Sequence, residues 1–387
     1  MTRPVLSIVT LVILVILAAC GNVAVSPSGD NLASEEPAAT ESAAESQPAE
    51  SQPAESESAA PEQTPAPAGA DGERLATILE RGELICGVNG SLAGFSFLEE
   101  DGTNTGFDAD FCRAVAAAVL GDPDAVEFRA LNADARGPAL QTGEVDVLIR
   151  NTTWTVTRDT TWGLFAPTTF YDGQAIMVNA DLGATTIEDL ATATICVQSG
   201  TTTELNLTDR MRELGIEYTP NVFAEIDPTY AAYEEGACDA VTSDRSQLVS
   251  RRTAFADPDA HVILDDVLSK EPLGPVVPLG DDQWFNVVKW VVYATIEAEE
   301  QGITQDNVEE MAGSSENPVV MRLLGAEGEL AAMLGLENDW VVTMIGAVGN
   351  YGEIYDRNLG PDTAFNLERG LNTLWTEGGL LYAPPYR

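Results

Sequence analysis

From residue 73 onward, runs dense in apolar and β-branched residues alternate with stretches whose apolar positions recur at helical spacing. GELICGVN (82–89), VEFRAL (126–131), VDVLI (145–149), TATICVQSG (192–200), NVFAEI (221–226) and CDAVTSD (238–244) read as strands. Between them, DADFCRAVAAAVLG (108–121) predicts a helix with Phe111, Val115 and Val119 on one face and Gly121 as its stop. GPALQTGE (137–144), TIEDLA (186–191) and PTYAAYEEG (228–236) predict short helices. TTTELNLTDRMRELG (201–215) predicts a longer one, opening with Thr201 and Glu204 in capping-box spacing. HVILDD (261–266) and a Pro/Gly-rich run (270–280) follow, and then helices from Asp281 to the end. Alternation of this kind predicts an α/β fold. The pattern completes one unit, enters a second and returns, so two crossings between the units form a hinge pair.

The first 72 residues follow neither period. Arg3 precedes an apolar run from Val5 to Ala19 that is too short and too lightly flanked for a membrane span. The sequence Leu17-Ala18-Ala19-Cys20 resembles the lipobox of bacterial lipoproteins, which implies a signal peptide over 1–20 and lipidation of Cys20. Residues 21–72 hold ten acidic residues, no Lys or Arg, and an imperfect repeat AESQP-AESQP-AESES. This composition predicts a disordered tether with a reach on the order of 40 Å. The mature protein is therefore expected outside the cytoplasm.

The chain of 387 residues carries a net charge of −43, from 62 acidic and 19 basic residues. Setting aside the tether and Arg3, about −34 remains on residues 73–387. So negative a surface argues against nucleic acid and anionic lipid head groups as partners. Cys86, Cys112, Cys196 and Cys238 allow three disulfide connectivities in an exported chain; the pairs 86–112 and 196–238 fit best because each closes within one unit. Without a CxxC, and with His261 as the only histidine, no metal or cofactor site is expected. No nucleophile has a plausible partner base, and GxSxG, HExxH and Walker-type loops are missing, so no catalytic residue is assigned.

Three segments remain that could hold a small zwitterion. In IRNTTWTVTRD (149–159), Arg158 follows the hydroxyls of Thr153, Thr155 and Thr157, a set of donors suited to a carboxylate. In SGTTTELN (199–206) a strand ends, a glycine turns and a helix starts with free N–H groups, a ready anion site. CDAVTSDR (238–245) ends an apolar strand at Asp244, placing a carboxylate at the sheet edge where open α/β sheets bind ligands. Donors for a carboxylate and an acceptor for an ammonium together suit an α-amino acid.

From about residue 73 to the end, the chain resembles the polar amino-acid binding proteins of ABC importers, closest to the general L-amino-acid subfamily. The resemblance rests on CGVNGSLAGFS, GFDADFCRAVAAAV, RNTTWTVTRD, ICVQSGTTTELNL, SKEPLGP, GDDQWF, VGNYGEIYDRN, RGLN and LLYAPPYR. It implies a two-lobed type II periplasmic binding protein fold: lobe 1 over 73–172, lobe 2 over 173–273, and a return to lobe 1 with C-terminal helices over 274–387. It implies that Arg158 and Thr153 grip the ligand α-carboxylate with help from Thr202, that Asp244 holds the α-ammonium, and that Asn151 assists. Asn89, Leu92 and Phe95 would line the side-chain region, with Gln198 reaching from lobe 2 and Arg150 contacting an acidic or amide side chain. The implied partners are an L-amino acid, membrane permease and ATPase subunits, and lipid through Cys20, the protein being a monomer. Gly137, Pro138 and Arg245 depart from the family pattern near the expected cleft, which bears on side-chain preference. A sensory binding lipoprotein and a dehydratase-type enzyme on the same scaffold are the alternatives.

Overall fold

The computed structural model describes residues 72–387; the expected signal peptide, Cys20 and the expected tether up to residue 71 lie outside the described residues. Fourteen strands follow in order: β1 (Leu84–Val88), β2 (Ser91–Leu92), β3 (Ser96–Leu98), β4 (Asn104–Thr105), β5 (Val126–Ala130), β6 (Val147–Leu148), β7 (Gly163–Phe165), β8 (Phe170–Asn179), β9 (Thr194–Gln198), β10 (Thr219–Phe223), β11 (Ala240–Asp244), β12 (His261–Ile263), β13 (Lys270–Leu273) and β14 (Val276–Pro278). The first lobe is built on a sheet of order β5-β1-β6-β14-β7, the second on β10-β9-β11-β8-β12. In both, the central strands run parallel: β1 with β5 and β6, and β9 with β10 and β11. Parallel neighbours require helical crossovers that cover both faces, which is why the strand and helix patterns alternate along the chain.

The lobes are joined by two strands that pair antiparallel, β8 and β13, in the register Phe170↔Leu273 to Gly173↔Lys270. These are the two crossovers of a two-lobed α/β fold. With β14 the chain is back in the first lobe, and the helix Asp282–Glu300 follows. Asp281 caps it by accepting from Trp284 N at 2.8 Å, and the Trp284 indole donates to Asp146 O at 2.8 Å.

The predicted helix appears as Phe107–Leu120, and it is buried on nearly every face because it lies between the sheet and the helix Trp340–Val348. Its alanines permit that close approach. Disulfides join Cys86 to Cys112 and Cys196 to Cys238, one within each lobe. The segment TIEDLA forms a single 3-10 turn, Ile187–Leu190. The sheet β2-β3-β4 went unread in the sequence, because strands of two or three residues are too short to display a period of two. His261 accepts or donates at Nδ1 to the Tyr233 hydroxyl at 2.8 Å and packs on Phe255, a structural position. Among the described residues no helix is long and apolar enough to cross a membrane.

Candidate functional site

β6 ends at the edge of the first sheet, and the segment that leaves it turns sharply at Asn151, whose φ of 26° lies in the left-handed region. Asp108 holds this turn by accepting from Asn151 N at 2.8 Å; burial pushes its carboxyl up to about 7. Thr155 then caps the helix Val156–Thr161 by accepting from Arg158 N at 3.2 Å, so its hydroxyl serves the backbone. The Arg158 guanidinium donates to Thr153 O at 3.0 Å and lies 4.8 Å from the Trp162 ring centroid. Arg136 lies 5.7 Å from the same ring. The indole is thus a shelf for two cations, each attracted to its face.

The second lobe supplies the opposite wall. Asp244 terminates β11, is 6 % exposed, and has its carboxyl raised well above the usual range by burial, then by Asp172 and Glu271 nearby. The loop after β9 begins the helix Thr202–Leu214. Thr201 caps it by accepting from Glu204 N at 3.1 Å, while Glu204 reaches back to Gly200 N at 3.1 Å, one residue before the position of a standard capping box. Gly200 has a φ of +69°, and a β-carbon there would stand 2.0 Å from Asp134 Oδ1. Only glycine lets this loop approach the first lobe so closely.

The lobes are closed on one another. Ser250 Oγ donates to Ala93 O at 2.7 Å, Arg251 to Ser91 O at 2.8 Å, and Asn132 Nδ2 to Glu225 Oε1 at 2.9 Å. Between them remains a small cavity, walled by Arg136, Arg150, Asn151 and Thr153 on one side and Gln198, Thr202, Asp244 and Gln247 on the other. Arg150 donates from Nε to Leu131 O at 2.8 Å, and burial draws its guanidinium down to about 10, still charged at neutral pH. Burial lowers Arg158 as well and Arg136 much further; Arg136 Nε has no hydrogen-bond partner. Among the described residues, Arg136, Arg150, Arg158 and Asp244 form no ion pair with one another or with any other group. Buried ionisable groups are ordinarily paired, so the closed cleft presents guanidiniums and a carboxyl that lack ion-pair partners.

Of the residues singled out in the sequence, Arg150, Asn151, Thr153, Gln198, Thr202 and Asp244 line this cavity, and Arg158 adjoins it through Thr153. Asn89 stands behind, its amide donating to Asn151 Oδ1 at 3.2 Å, while Gln198 donates to Ala224 O at 3.0 Å. Leu92 and Phe95 are not brought to the cavity. Both are fully buried in the first lobe's core, where Phe95 meets Phe107 and Phe170 edge to face. Arg245 turns outward, donating to Leu264 O at 3.0 Å and lying 4.0 Å from Asp265, so it does not border the cleft. Sequence reasoning missed Arg136, Gln247 and Glu271; none carries a local signature, and a lone arginine before a short helix looks like any surface cation. Among the described residues no cluster suits a metal ion.

Comparison with known proteins fits this architecture. The family "Bacterial extracellular solute-binding proteins, family 3" is matched over residues 84–307. A general L-amino acid-binding periplasmic protein of Rhizobium johnstonii is 50% identical over 323 residues, covering 83% of this chain and 94% of that protein. A glutamate/glutamine/aspartate/asparagine-binding protein of Rhodobacter capsulatus is 48% identical over 319 residues, covering 82% and 94%. Among solved structures, a periplasmic binding protein from Brucella ovis with glutathione bound is 51% identical with a TM-score of 0.80, covering 82% of this chain and all of that one. The chain belongs to the family 3 bacterial extracellular solute-binding proteins, and it is a binding protein of the two-lobed type II fold, not an enzyme.

Proposed function

We propose that this protein captures an L-amino acid with a polar or acidic side chain between its lobes and delivers it to the permease of an ABC importer. The observation that carries the reading is the pair of buried groups of opposite type without an ion-pair partner among the described residues, the Arg158 guanidinium from one lobe and the Asp244 carboxyl from the other. An α-amino acid brings a carboxylate to the guanidinium and an ammonium to the aspartate, and so neutralises both. Arg136 and Arg150 leave a second cationic end, suited to the side-chain carboxylate or amide of Glu, Asp, Gln or Asn. The names of the two relatives point the same way. The glutathione in the Brucella ovis protein also carries a free α-amino-acid end on its glutamyl residue.

Ligand that touches both lobes binds the closed form better than an open one, and this differential contact drives closure. In the same reading Cys20 is lipidated and the chain 21–72 tethers a monomeric two-lobed body, with lobes over 73–172, 173–273 and 274–387, to the outer face of a membrane. A thermal-shift screen of the twenty L-amino acids tests the function, because bound ligand raises apparent stability by mass action. Glutamate, glutamine, aspartate and asparagine are expected to give the largest shifts; no shift with any amino acid contradicts the reading.

A further inference from the structure

Glu271 lies on β13, the second crossover, opposite Asp172 of the first, and is fully buried. Among the described residues no cation pairs with it, yet both its oxygens are fully used. Oε2 accepts from Thr153 Oγ1 at 2.6 Å and from Thr202 Oγ1 at 2.9 Å. Oε1 accepts from Asn206 Nδ2 at 2.7 Å and from Ser269 Oγ. A buried carboxylate without a cation persists only when such donors satisfy it.

Two of those donors come from facing walls of the cleft, Thr153 from the first lobe and Thr202 from the second, with their hydroxyl oxygens 3.2 Å apart. Each hydroxyl has a single proton to give. With both protons committed to Glu271, neither threonine can donate to a ligand carboxylate; their oxygens can only accept. The cluster also exists only while the lobes are together, since its donors belong to both.

We propose that Glu271 is a positioning residue of the ligand site, acting through Thr153 and Thr202. It gathers one hydroxyl proton from each lobe, so that closure is favoured at this point and the ligand α-carboxylate is left to the Arg158 guanidinium and the N–H groups at the start of the helix Thr202–Leu214. Thr153 then orders the site without donating to the ligand. This assignment rests on the amino-acid reading above.

The test is a mutant cycle on the full chain, with L-glutamate affinity measured by calorimetry for the wild type, Glu271→Gln, Thr153→Val and the double variant. Each single change is expected to weaken binding by about tenfold or more, as when a hydrogen bond to a charged group is lost. The double variant is expected to be no weaker than the worse single by more than about twofold, and Thr153→Ser to bind like the wild type. Effects that multiply, the signature of a merely structural glutamate, overturn the proposal, as does wild-type affinity in Glu271→Gln. Should Glu271→Gln not fold, Thr153→Val combined with Thr202→Val decides the matter, and wild-type affinity there overturns the proposal. A wild type that binds no L-amino acid overturns the amino-acid reading and this inference with it; binding by the wild type with unchanged variants overturns the inference alone.

Discussion

Gly137 stands directly against Trp162: a β-carbon on it would lie 2.6 Å from the indole. The indole in turn carries the guanidiniums of Arg158 and Arg136. A glycine at this position therefore sets the height of the shelf on which both cations rest. Gly137→Ala must displace the ring, and overpacking of this kind costs about 1–3 kcal/mol. We expect weaker binding of every amino acid, read by calorimetry. Unchanged affinity would mean that the shelf does not position the cations.

Arg136 is 3 % exposed, has no ion pair among the described residues and keeps one nitrogen unbonded. Its charge is held out of water at a cost that the Trp162 ring offsets in part and a ligand anion would offset further. Arg136→Met should therefore raise the stability of the ligand-free protein by about 1 kcal/mol or more while weakening glutamate and aspartate more than glutamine and asparagine. Thermal unfolding and calorimetry on one preparation check both halves, and equal loss for acids and amides contradicts the assignment.

Three buried carboxyls govern the pH response. Burial raises Asp108 to about 7 and Asp172 to about 6, and raises Asp244 among Asp172, Glu271, Arg136 and Asn151. The folded values lie above the unfolded ones, so between about pH 4 and 7 the folded state binds more protons than the unfolded chain. Stability of the ligand-free protein should fall as pH rises through that window, as urea unfolding at pH 5 and pH 7.5 would show. A ligand ammonium needs Asp244 ionised, and burial among carboxylates favours its protonated form, so affinity should rise with pH and binding should release protons. Calorimetry in two buffers of different ionisation enthalpy detects the release; proton uptake would contradict it.

Asn372 grips the first crossover beside the hinge. Its Oδ1 accepts from Tyr171 N at 2.6 Å and its Nδ2 donates to Tyr171 O at 3.2 Å. Asn372→Ala leaves two backbone groups unsatisfied, so denaturant unfolding should show a loss of about 1–3 kcal/mol. A loss within 0.5 kcal/mol, the range of ordinary surface changes, would mean that water replaces the amide.

Features that depend on neighbours in sequence were legible before the structure. The helix around Phe111, the strand ending at Asp244 and the two-lobed crossover pattern all follow from local period and burial. The pairing of Cys86 with Cys112 and of Cys196 with Cys238 follows from closure within one lobe. What depends on distant partners was not. The hydroxyl of Thr153 is claimed by Glu271, 118 residues away, and the shelf for Arg136 is Trp162. Leu92 and Phe95 sit close in sequence to the cleft, but the aromatic core of the first lobe outcompetes it for both side chains.

Calorimetry of L-glutamate binding to the wild type and to Arg158→Ala tests the central claim most directly. The wild type should bind. The variant should lose about 3–5 kcal/mol of binding free energy, because removing one partner strands the other charge in a closed cleft. Near wild-type affinity in Arg158→Ala would contradict the account.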